Sequence, residues 1–378
     1  TDYRHHQECV RNMHILWLTA RSMSDLCSTT QRCLIDGLLK RGHRVTFVNG
    51  DASSPLSHAL FAHVALQTKA RRGFQARALG KAIRTWLKTQ ASGEDSTVAV
   101  VEWRIVQWVV PALESMGLPW ALMDRSPPAD SGLLGRLQWR PWKSSWRKAR
   151  QTRTVGFVVS PAHQSFVAKK TGHQRSKVLQ AGVDLERFKP REKRSTFTMI
   201  YHGRLDRHRG VLACVMLAHK ARIEGLEVDL HLIGEGNLEP ALQELTHTHE
   251  FLHVPGAIDQ SALAKHLGAC HLGLLPMPNR SVWALASPLK RSEYLAAGLS
   301  VFGIEHDGHA LAGSEKTWFK LVPQEDFHLD GLNFIRECMD AMNEVLDAPR
   351  AYAEIHLGWE HSVTTLEREL KDLLYSDS

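Results

Sequence analysis

Short apolar runs alternate with helix-forming segments along most of the chain, and this alternation restricts the possible folds more than any other feature. His14 to Thr19 is the first apolar run, and a Ser/Thr-rich loop, a helix from about Thr29 to Lys40 and a second run, Arg44 to Val48, follow it. A strand, a helix and a further strand in this order are typical of a parallel, doubly wound sheet. The chain is therefore predicted to be an α/β protein.

The same alternation starts again in the second half of the chain, after a charged stretch from Lys189 to Ser195 that contains Pro190. A length of 378 residues exceeds what one ordinary core fills, so we predict two Rossmann-like domains. The predicted parts are a disordered tail at 1–12, an N-terminal domain at 13–190, a C-terminal domain at 191–350 and, at 351–378, a helix that packs back toward the N-terminal domain. The further expected strands are Val98–Val101, Trp120–Met123, Val155–Val159, Phe197–Tyr201, Val228–Ile233, Phe251–Val254, His271–Leu275, Val301–Ile304 and Phe319–Val322.

Charge is divided unevenly between these two parts. Residues 1–190 hold 29 Lys/Arg against 13 Asp/Glu, a net charge of +16, whereas residues 191–378 hold 18 against 27, a net charge of −9. No acidic residue occurs between Ala52 and Gly93 or between Ser131 and Val183. A basic surface of this size indicates an anionic partner, which is a membrane, a nucleic acid or a phosphorylated substrate.

Two segments of the N-terminal part, Thr68 to Gln90 and Leu134 to Arg153, combine cations with aromatic residues at helical spacing. Tryptophan beside Lys/Arg is the composition of a surface that meets anionic lipid. In the alternative, the aromatic side chains pack inward and the cations are solvated. The residues predicted to contact an acceptor or a membrane here are Arg72, Lys81, Trp142 and Trp146.

The cysteine, histidine and hydropathy patterns favour neither a metal site, nor a redox centre, nor a membrane-spanning helix. The six cysteines form no C-x-x-C pair, the 22 histidines form no H-E-x-x-H motif, and no Asp-x-Asp stands at the end of a predicted strand. The longest apolar stretch, Val98 to Leu113, is interrupted by Glu102 and Arg104. We predict no metal site, no cofactor and no nucleic-acid partner, and a cytoplasmic protein that is peripheral on the cytoplasmic face of the membrane.

Glycine and arginine follow the first strand of the C-terminal part. Gly203 and Arg204 come directly after the strand, and Arg209 and Gly210 stand before a helix. Ligands of open α/β sheets bind outside the carboxyl ends of the strands, helix N-termini favour anions, and the arginine fork fits phosphate. A phosphate site is therefore predicted; a plain turn with surface arginines is the alternative. Gly234-Glu235-Gly236 follow the next strand in the same way.

The segment from Ser287 to Gly298 has the composition of a short helix with both ends marked. Ser287 is a good N-cap, Pro288 fits the first helical position and Gly298 fits the C-terminal cap. Free N–H groups at the start of this helix and Lys290 can hold a diphosphate, and Glu293 can accept hydrogen bonds from ribose. In the alternative, Lys290 and Glu293 are ordinary surface residues.

In this order, the motifs resemble glycosyltransferase family four, a family of retaining enzymes. The matching residues are Gly182-Val183-Asp184 with Phe188 and Pro190, Gly203-Arg204-Leu205 with Arg209-Gly210, Gly234-Glu235-Gly236, Pro255-Gly256, Leu275-Pro276, and Pro288-Leu289-Lys290 with Glu293-Tyr294 and Ala296-Ala297-Gly298. The resemblance covers about Phe157 to Ile304 and is looser over the N-terminal half. It implies the GT-B fold, in which two Rossmann-like doubly wound domains with parallel sheets face a central cleft and the C-terminal helix crosses back.

The resemblance also implies roles for matching residues. Arg204 would contact the donor diphosphate, and Arg209 stands where the family usually has lysine. Glu293 would hold the nucleotide ribose, whereas the family's first glutamate falls at Leu285, so the usual contact with the sugar is absent. The implied donor-binding residues are Gly203, Arg204, Arg209, Gly234, Gly236, Gly256, Ile258, Pro288, Leu289, Lys290 and Glu293.

The N-terminal half departs further from the family. The loop that contains Ser24 lacks the family's glycines, and Ser24 is a candidate for acceptor contact. Asp124 and Arg125 stand at a strand end where the family often has histidine. Arg125 is expected to contact phosphate or acceptor and Asp124 to position the acceptor, so both join Arg204 and Lys290 as catalytic candidates. Arg104, after another strand, is a lesser candidate, and hydrogen bonding within the local loop is the alternative for each.

The function that the resemblance implies is sugar transfer from a nucleotide-diphosphate sugar of the UDP or GDP type to a lipid-linked or saccharide acceptor. The transfer would retain anomeric configuration and need no metal ion, because cations and a helix dipole would stabilise the departing diphosphate. One alternative is a membrane- or polyanion-binding protein on a GT-B scaffold without turnover, which the basic N-terminal half and Leu285 favour. A nicotinamide-dependent Rossmann enzyme is a weaker alternative, since G-x-G-x-x-G does not follow the first strand.

Overall fold

The computed structural model describes residues 12–375 apart from 24–27, 55, 72, 91–95, 129–131, 314 and 342–346. The chain divides into two compact units, one formed by Thr1–Leu179 with Ser362–Ser378 and the other by Gln180–His361. Each unit is built on one parallel sheet, which confirms the predicted α/β class with two Rossmann-like domains. The predicted tail, except for Asn12, lies outside the described residues.

The first unit contains a seven-stranded sheet in the order β3-β2-β1-β4-β5-β6-β7. Its strands are β1 (His14–Leu18), β2 (Arg44–Asn49), β3 (Phe61–Ala65), β4 (Thr97–Glu102), β5 (Trp120–Met123), β6 (Gly156–Val158) and β7 (Ser176–Val178). Its helices are α1 (Thr29–Lys40), α2 (Gln75–Leu87), α3 (Val106–Ser115), α4 (Gly132–Gln151) and α5 (Pro161–Thr171).

Helices cover both faces of this sheet, so its central strands are apolar along their length. All six residues of β4 are buried, as expected for a central parallel strand. Helices α2 to α5 contribute to one core, in which Ile83, Val109 and Trp146 are fully buried. On the other face, Leu34 of α1 shares a core with Leu366 of the last helix, α13 (Trp359–Tyr375).

The second unit contains a six-stranded parallel sheet in the order β10-β9-β8-β11-β12-β13. Its strands are β8 (Phe197–His202), β9 (Val228–Ile233), β10 (Leu252–Gly256), β11 (Leu272–Leu275), β12 (Ser300–Ile304) and β13 (Phe319–Val322). Its helices before α13 are α6 (Val211–Ile223), α7 (Glu239–Thr246), α8 (Gln260–Gly268), α9 (Ser281–Ala284), α10 (Leu289–Ala296), α11 (Phe327–Asp340) and α12 (Asp347–His356). Among the described residues of both units, no helix is long and apolar enough to cross a membrane.

The division between the units falls after Leu179, before the expected boundary at Pro190. The intervening segment is anchored to α12. The Arg350 guanidinium donates hydrogen bonds to the carbonyl oxygens of Phe188 (2.6 Å) and Leu185 (3.1 Å). These contacts place residues 180–190 with the second unit.

Each sheet has a switch point, where the chain leaves neighbouring strands in opposite directions. In the first unit it lies between β1 and β4, and in the second between β8 and β11. Loops diverge at such a point, and ligands of open α/β sheets bind there, outside the carboxyl ends of the strands. A functional site is therefore expected among the residues that follow these strands.

Candidate functional site

Three loops meet at the carboxyl ends of β8, β9 and β11. Gly234, directly after β9, has φ +141°, and a Cβ there would lie 1.9 Å from the carbonyl oxygen of Gly203, directly after β8. Gly210, at the start of α6, has φ +77°, and a Cβ there would lie 2.1 Å from the carbonyl oxygen of Pro276, directly after β11. Because any side chain at these positions would push the loops apart, the two glycines hold the three strand ends together.

Arg204 follows Gly203 and is held by two carboxylates. Its guanidinium lies 3.2 Å from Asp206 and 3.1 Å from Glu235. The hydrogen bond to Asp206 is the main cause that raises the pKa of Arg204 above its ordinary value. The two carboxylates therefore fix Arg204 at the end of β8. An anionic ligand can bind the guanidinium beside these carboxylates or replace one of them.

Arg209, the second arginine of the site, is half-buried against an aromatic ring. Its Cζ lies 4.9 Å from the ring centroid of Trp283, and its Nε lies 3.9 Å from Asp206. His208 stacks on the same indole, with ring centroids 6.1 Å apart and planes 10° apart. These cation–π and ion-pair contacts orient Arg209. Sequence reasoning missed Trp283 and His208, since no motif marks either residue.

The N-terminus of α10 has no side-chain cap. The helix begins at Leu289 with Pro288 as its N-cap. The prediction that Ser287 is the N-cap is wrong, because its hydroxyl accepts a hydrogen bond from the backbone N–H of Ala181 instead (3.0 Å). Among the described residues, Pro288 thus gives the first N–H groups of α10 no side-chain cap, and these groups carry the positive end of the helix dipole.

Lys290 lies in the first turn of α10 and approaches the loop after β8. Its Nζ is 3.4 Å from the point where a Cβ of Gly203 would stand and 5.1 Å from the ring centroid of Tyr201. Burial first, and the charge of Arg209 second, lower the pKa of Lys290 to about 8, while Glu293 acts in the opposite direction. An anion bound beside this ammonium would relieve the charge repulsion and stabilise the protonated form.

Glu293 lies one turn further along α10, and its side chain is buried, at 7% exposure. Its Oε2 lies 3.1 Å from Nε2 of His202, the last residue of β8. The next residue, Tyr294, packs edge-on against the His202 ring, with centroids 5.3 Å apart. The structure therefore brings Glu293 to the end of β8, next to a histidine that sequence reasoning did not single out.

The loop after β10 joins the same edge of the sheet. The N–H of Gly234 donates to the carbonyl oxygen of Gly256, the last residue of β10 (2.9 Å), and Ile258 follows as a half-buried residue. A Cβ at Gly236 would lie 2.4 Å from the carbonyl group of Leu205, so this loop also runs close to the loop after β8. All eleven predicted donor-binding residues thus lie in the second unit, around the strand ends and the start of α10.

At the switch point of the first unit, a buried carboxylate organises the loops after β1 and β4. Glu102 ends β4, and its Oε2 accepts hydrogen bonds from the Thr19 hydroxyl (2.9 Å) and the Ala20 N–H (2.8 Å). Its Oε1 pairs with Arg21 (3.2 Å) and Arg104 (3.1 Å). Because two guanidinium groups share one carboxylate, the cluster has a net positive charge.

The loop after β5 adjoins this cluster through Arg21, which donates a hydrogen bond to the hydroxyl of Ser126 (3.1 Å). Arg125 precedes Ser126 and is half-buried. The predicted residues Arg104 and Arg125 therefore follow the neighbouring strands β4 and β5, and Arg21 is a further cation that sequence reasoning missed. Ser24 lies outside the described residues.

Asp124, Trp142 and Trp146 are core residues rather than ligand contacts, with 0% exposure each. Both indole N–H groups donate to Oδ2 of Asp124, at 2.6 Å and 2.9 Å, and Nε2 of His163 lies 3.3 Å from the same oxygen. Burial acts to raise the pKa of Asp124, but His163 and the indoles hold it below its ordinary value. The predicted acceptor-positioning role of Asp124 and the predicted membrane contacts of Trp142 and Trp146 are wrong, because α4 turns this face inward.

Cations occupy the outward faces of α4 and α2. We call these two rows the basic stripes, and within each row the spacing of four and three residues keeps the side chains on one helix face. Their exposed members are Arg136, Arg140, Lys143, Arg147 and Arg150 on α4, and Arg77, Lys81, Arg84 and Lys88 on and directly after α2. Within the described part of the chain, no acidic partner pairs with any of them. Arg72 lies outside the described residues.

Comparison by sequence finds no matching protein-family model and no matching curated protein. Solved structures match the fold over nearly the whole chain. A sucrose-phosphate synthase from Thermosynechococcus elongatus is 17% identical, with 97% of this chain and 100% of that chain covered and a TM-score of 0.76. A glycosyltransferase from Rickettsia africae ESF-5 is 11% identical, with 96% and 99% covered and a TM-score of 0.72. HepE from Anabaena in complex with UDP-glucose is 14% identical, with 97% and 100% covered and a TM-score of 0.64. The chain therefore has the GT-B fold, which confirms the predicted fold class.

Proposed function

We propose that this protein is a glycosyltransferase of family four that takes its sugar from a nucleotide-diphosphate sugar of the UDP or GDP type. One observation carries the proposal: Arg204, Arg209 and Lys290 converge at the switch point of the second sheet, beside the uncapped N-terminus of α10. Three cations and a helix N-terminus complement a diphosphate. Glu293, one turn behind Lys290, is placed to accept hydrogen bonds from ribose. The GT-B fold shared with HepE, which was solved with UDP-glucose, is consistent with this donor.

Donor binding requires an exchange of ion pairs at Arg204. Glu235 is 55% exposed, so it returns to water at little cost, whereas Asp206 is 12% exposed and accepts a hydrogen bond from the backbone N–H of Asn237 (3.1 Å). We therefore expect the diphosphate to replace Glu235 and to leave Asp206 in place. Asp206 then keeps Arg204 and Arg209 oriented while both bind phosphate oxygens.

In the proposed reaction, the bond between the sugar C1 and the β-phosphate oxygen breaks. A new bond forms between C1 and the acceptor hydroxyl oxygen on the same face, so that configuration is retained, and the hydroxyl proton passes to the departing phosphate. Arg204, Arg209, Lys290 and the dipole of α10 stabilise the charge that develops on the leaving group, and no metal ion is required. Leu285 offers no carboxylate to the sugar, so sugar recognition differs from that usual in the family.

The acceptor proposed is anionic and either lipid-linked or a saccharide. The net positive cluster of Arg21, Arg104 and Glu102 lies at the switch point of the first sheet, where a phosphate group can bind to the arginines that share one carboxylate. Arg125, in the adjoining loop, is a further candidate contact.

We propose that the basic stripes hold the protein on the cytoplasmic face of an anionic membrane. Their cations are exposed and lack acidic partners within the described residues, so they are available to lipid headgroups. Exposed Phe74 and Leu137 lie beside the stripes and add apolar surface. Trp142 and Trp146 of α4 take no part, since they are buried.

A non-catalytic, polyanion-binding protein is the second candidate, and Leu285 in place of a sugar-binding glutamate is the observation that favours it. The two candidates differ in turnover. An enzyme releases a nucleoside diphosphate from its donor in proportion to the acceptor supplied, whereas a binding protein retains the donor unchanged.

Calorimetric titration with UDP and GDP tests the donor site. Loss of one arginine–phosphate contact costs about 1.5–3 kcal/mol, so Arg204→Ala should weaken the preferred nucleotide about 10- to 100-fold. Glu293→Gln should weaken it by about tenfold, since the amide is a poorer acceptor for ribose hydroxyls. Arg207→Ala is the matched control, because Arg207 is exposed and lies three positions from Arg204. Equal affinities in Arg204→Ala, Glu293→Gln and the control would refute the donor site.

Sedimentation with vesicles tests the membrane proposal. The variant changes three stripe residues to serine, and the control changes three exposed cations of the second unit, so both lose the same charge. The variant residues are Arg140, Lys143 and Arg147, and the control residues are Arg207, Lys220 and Lys265. We expect salt-sensitive binding to anionic vesicles that only the stripe variant loses; equal binding to neutral vesicles would contradict the proposal.

A further inference from the structure

Three side chains with metal-binding atoms meet on one face of the second sheet. Asp229 and His231 are the second and fourth residues of β9, so they point to the same face, and His253 of β10 is the register partner of His231. One ligand atom from each of the three residues lies within 4.8 Å of the others. Two adjacent strands thus present two imidazoles and one carboxylate at one point.

The packing around His231 fixes one of these ligands in place. His231 is buried, its ring stacks on that of His253 with centroids 4.5 Å apart, and its Nδ1 lies 2.8 Å from Nε2 of His266 on α8. A metal-binding histidine is commonly oriented by a hydrogen bond to its other ring nitrogen. His266 provides such a partner, and it leaves the second nitrogen of His231 to face a ligand.

We propose that Asp229, His231 and His253 form a binding site for a divalent transition-metal ion, with Zn²⁺ as the best match. Imidazole and carboxylate ligands suit zinc and its neighbours in the first transition row, whereas magnesium and calcium take oxygen ligands. Three protein ligands on two strands leave a fourth coordination position for water. The site is separate from the donor site.

The geometry allows the closure that a metal ion requires. Bonds of about 2.0–2.2 Å in a tetrahedral site place ligand atoms about 3.3 Å apart, so the present separations must shorten by at most about 1.5 Å. The side chains of His253 and Asp229 are 44% and 30% exposed, and they already lie 3.9 Å apart. Both can rotate toward the fixed His231 without disturbing the core.

The position of the site indicates what the ion does. His231 lies three residues before Gly234, or about 10 Å along the strand, so the metal is away from the phosphate-binding end of the sheet. β10 is an edge strand, and its register with β9 shifts between His253 and Gly256. An ion held by both strands would clamp the edge strand next to this irregularity and stabilise the second unit.

Zinc titration of the tag-free full chain tests the site. Asp229→Asn and His253→Ala should each lose one equivalent of bound Zn²⁺ or bind it at least about tenfold more weakly. Zinc should raise the unfolding temperature of the wild type but not of these two variants. His247→Ala is the matched control, since His247 is an exposed histidine outside the cluster. Because His253 is exposed, its loss should leave the fold and the UDP or GDP affinity unchanged, and this separates the site from the proposed donor function.

Substitution of Co²⁺ gives a second measurement. Co²⁺ bound by two imidazoles and one carboxylate should show the visible absorption bands of a four- or five-coordinate ion. His253→Ala should lose these bands. The proposal is overturned if the wild type binds no zinc equivalent, or if His253→Ala and His247→Ala give the same isotherm and the same cobalt spectrum.

Discussion

The protonation of Lys290 gives the proposed donor site a pH dependence that can be measured. Burial and Arg209 lower the pKa of its ammonium to about 8 in the ligand-free protein. A bound diphosphate favours the charged form, so the pKa should rise toward its ordinary value of about 10.4 in the complex. Nucleotide binding is therefore coupled to the uptake of a proton at Lys290.

The size of the effect follows from this shift. Below about pH 7, Lys290 is protonated before binding, and the contact is available in full. At about pH 9, only about one molecule in ten carries the proton, so the affinity should be about tenfold lower than at about pH 7, which corresponds to about 1.4 kcal/mol. The diphosphate itself is fully ionised over this range, because its last pKa is about 6.

Calorimetry across this pH range, in buffers with different heats of ionisation, measures both the affinity and the number of protons bound. We expect about half a proton taken up per nucleotide near pH 8. Lys290→Gln should abolish both the slope and the uptake, and Lys265→Gln, which removes an exposed lysine of α8, should keep them. An affinity that is constant from about pH 7 to about pH 9, or the same slope in Lys290→Gln, would refute the reasoning.

Three further predictions concern the scaffold and can be checked by urea unfolding. Gly210→Ala should lower the free energy of unfolding by about 3 kcal/mol or more, because the new Cβ would meet the Pro276 carbonyl oxygen. Gly225 also has positive φ but no neighbouring atom within 4 Å of its Cβ position, so Gly225→Ala should cost about 1 kcal/mol. Equal losses in the two variants would show that the contact with Pro276 is unimportant. Asp124→Ala should lower the free energy of unfolding by about 3–5 kcal/mol, since it leaves His163 and two indole N–H groups buried without their partner. A decrease of less than about 1 kcal/mol would contradict this prediction. Glu367 has a pKa lowered to about 2; burial opposes the shift, and hydrogen bonds from Lys371, His43 and Arg41 produce it. The ionised Glu367 carboxylate should therefore stabilise the folded protein fully above about pH 4.5 and lose this effect as the pH falls toward 2. Glu367→Gln should cost about 1–3 kcal/mol of unfolding free energy at about pH 7 and clearly less at about pH 3. A cost that does not change with pH would argue against the lowered pKa of Glu367.

Sequence reasoning predicted the five inner strands of the first sheet and all six strands of the second sheet, including its edge strands β10 and β13. β4 and β8 are buried along their whole length, and continuous apolar runs mark them. The two edge strands of the first sheet, β3 and β7, were missed. β3 is half-exposed and contains His63, and β7 is the three-residue segment Ser176–Val178. An edge strand has a neighbour on one side only, so its sequence carries a weaker apolar signal.

The meeting of Gly203, Arg204 and Arg209 at the strand ends could be predicted because glycines and arginines follow the strands in a fixed order. Trp283 and His208 could not, since their contact depends on the packing of α9 against the loop after β8. The Asp229–His231–His253 cluster was missed for a similar reason. A spacing of two residues within β9 shows a shared face, but only the register with β10 brings the third ligand alongside.

The error at α4 has a physical cause that the sequence itself contains. Trp139, Trp142 and Trp146 are spaced three and four apart, and the stripe residues Arg140, Lys143 and Arg147 each follow one of them directly. Two such series occupy different faces of one helix. Composition alone merged them into one interfacial surface, whereas the helical period assigns the tryptophans to the core and the cations to solvent.

The central claim is tested most directly by turnover. Labelled UDP- and GDP-sugars are incubated with the wild type, with Lys290→Ala and with Lys265→Ala, together with extracted anionic lipid acceptors and a chelator. We expect the wild type and Lys265→Ala to release a nucleoside diphosphate and transfer label to the acceptor in the presence of chelator, and Lys290→Ala to lose about 100-fold or more of this rate. The absence of acceptor-dependent release in the wild type, or equal rates in the two lysine variants, would contradict the claim.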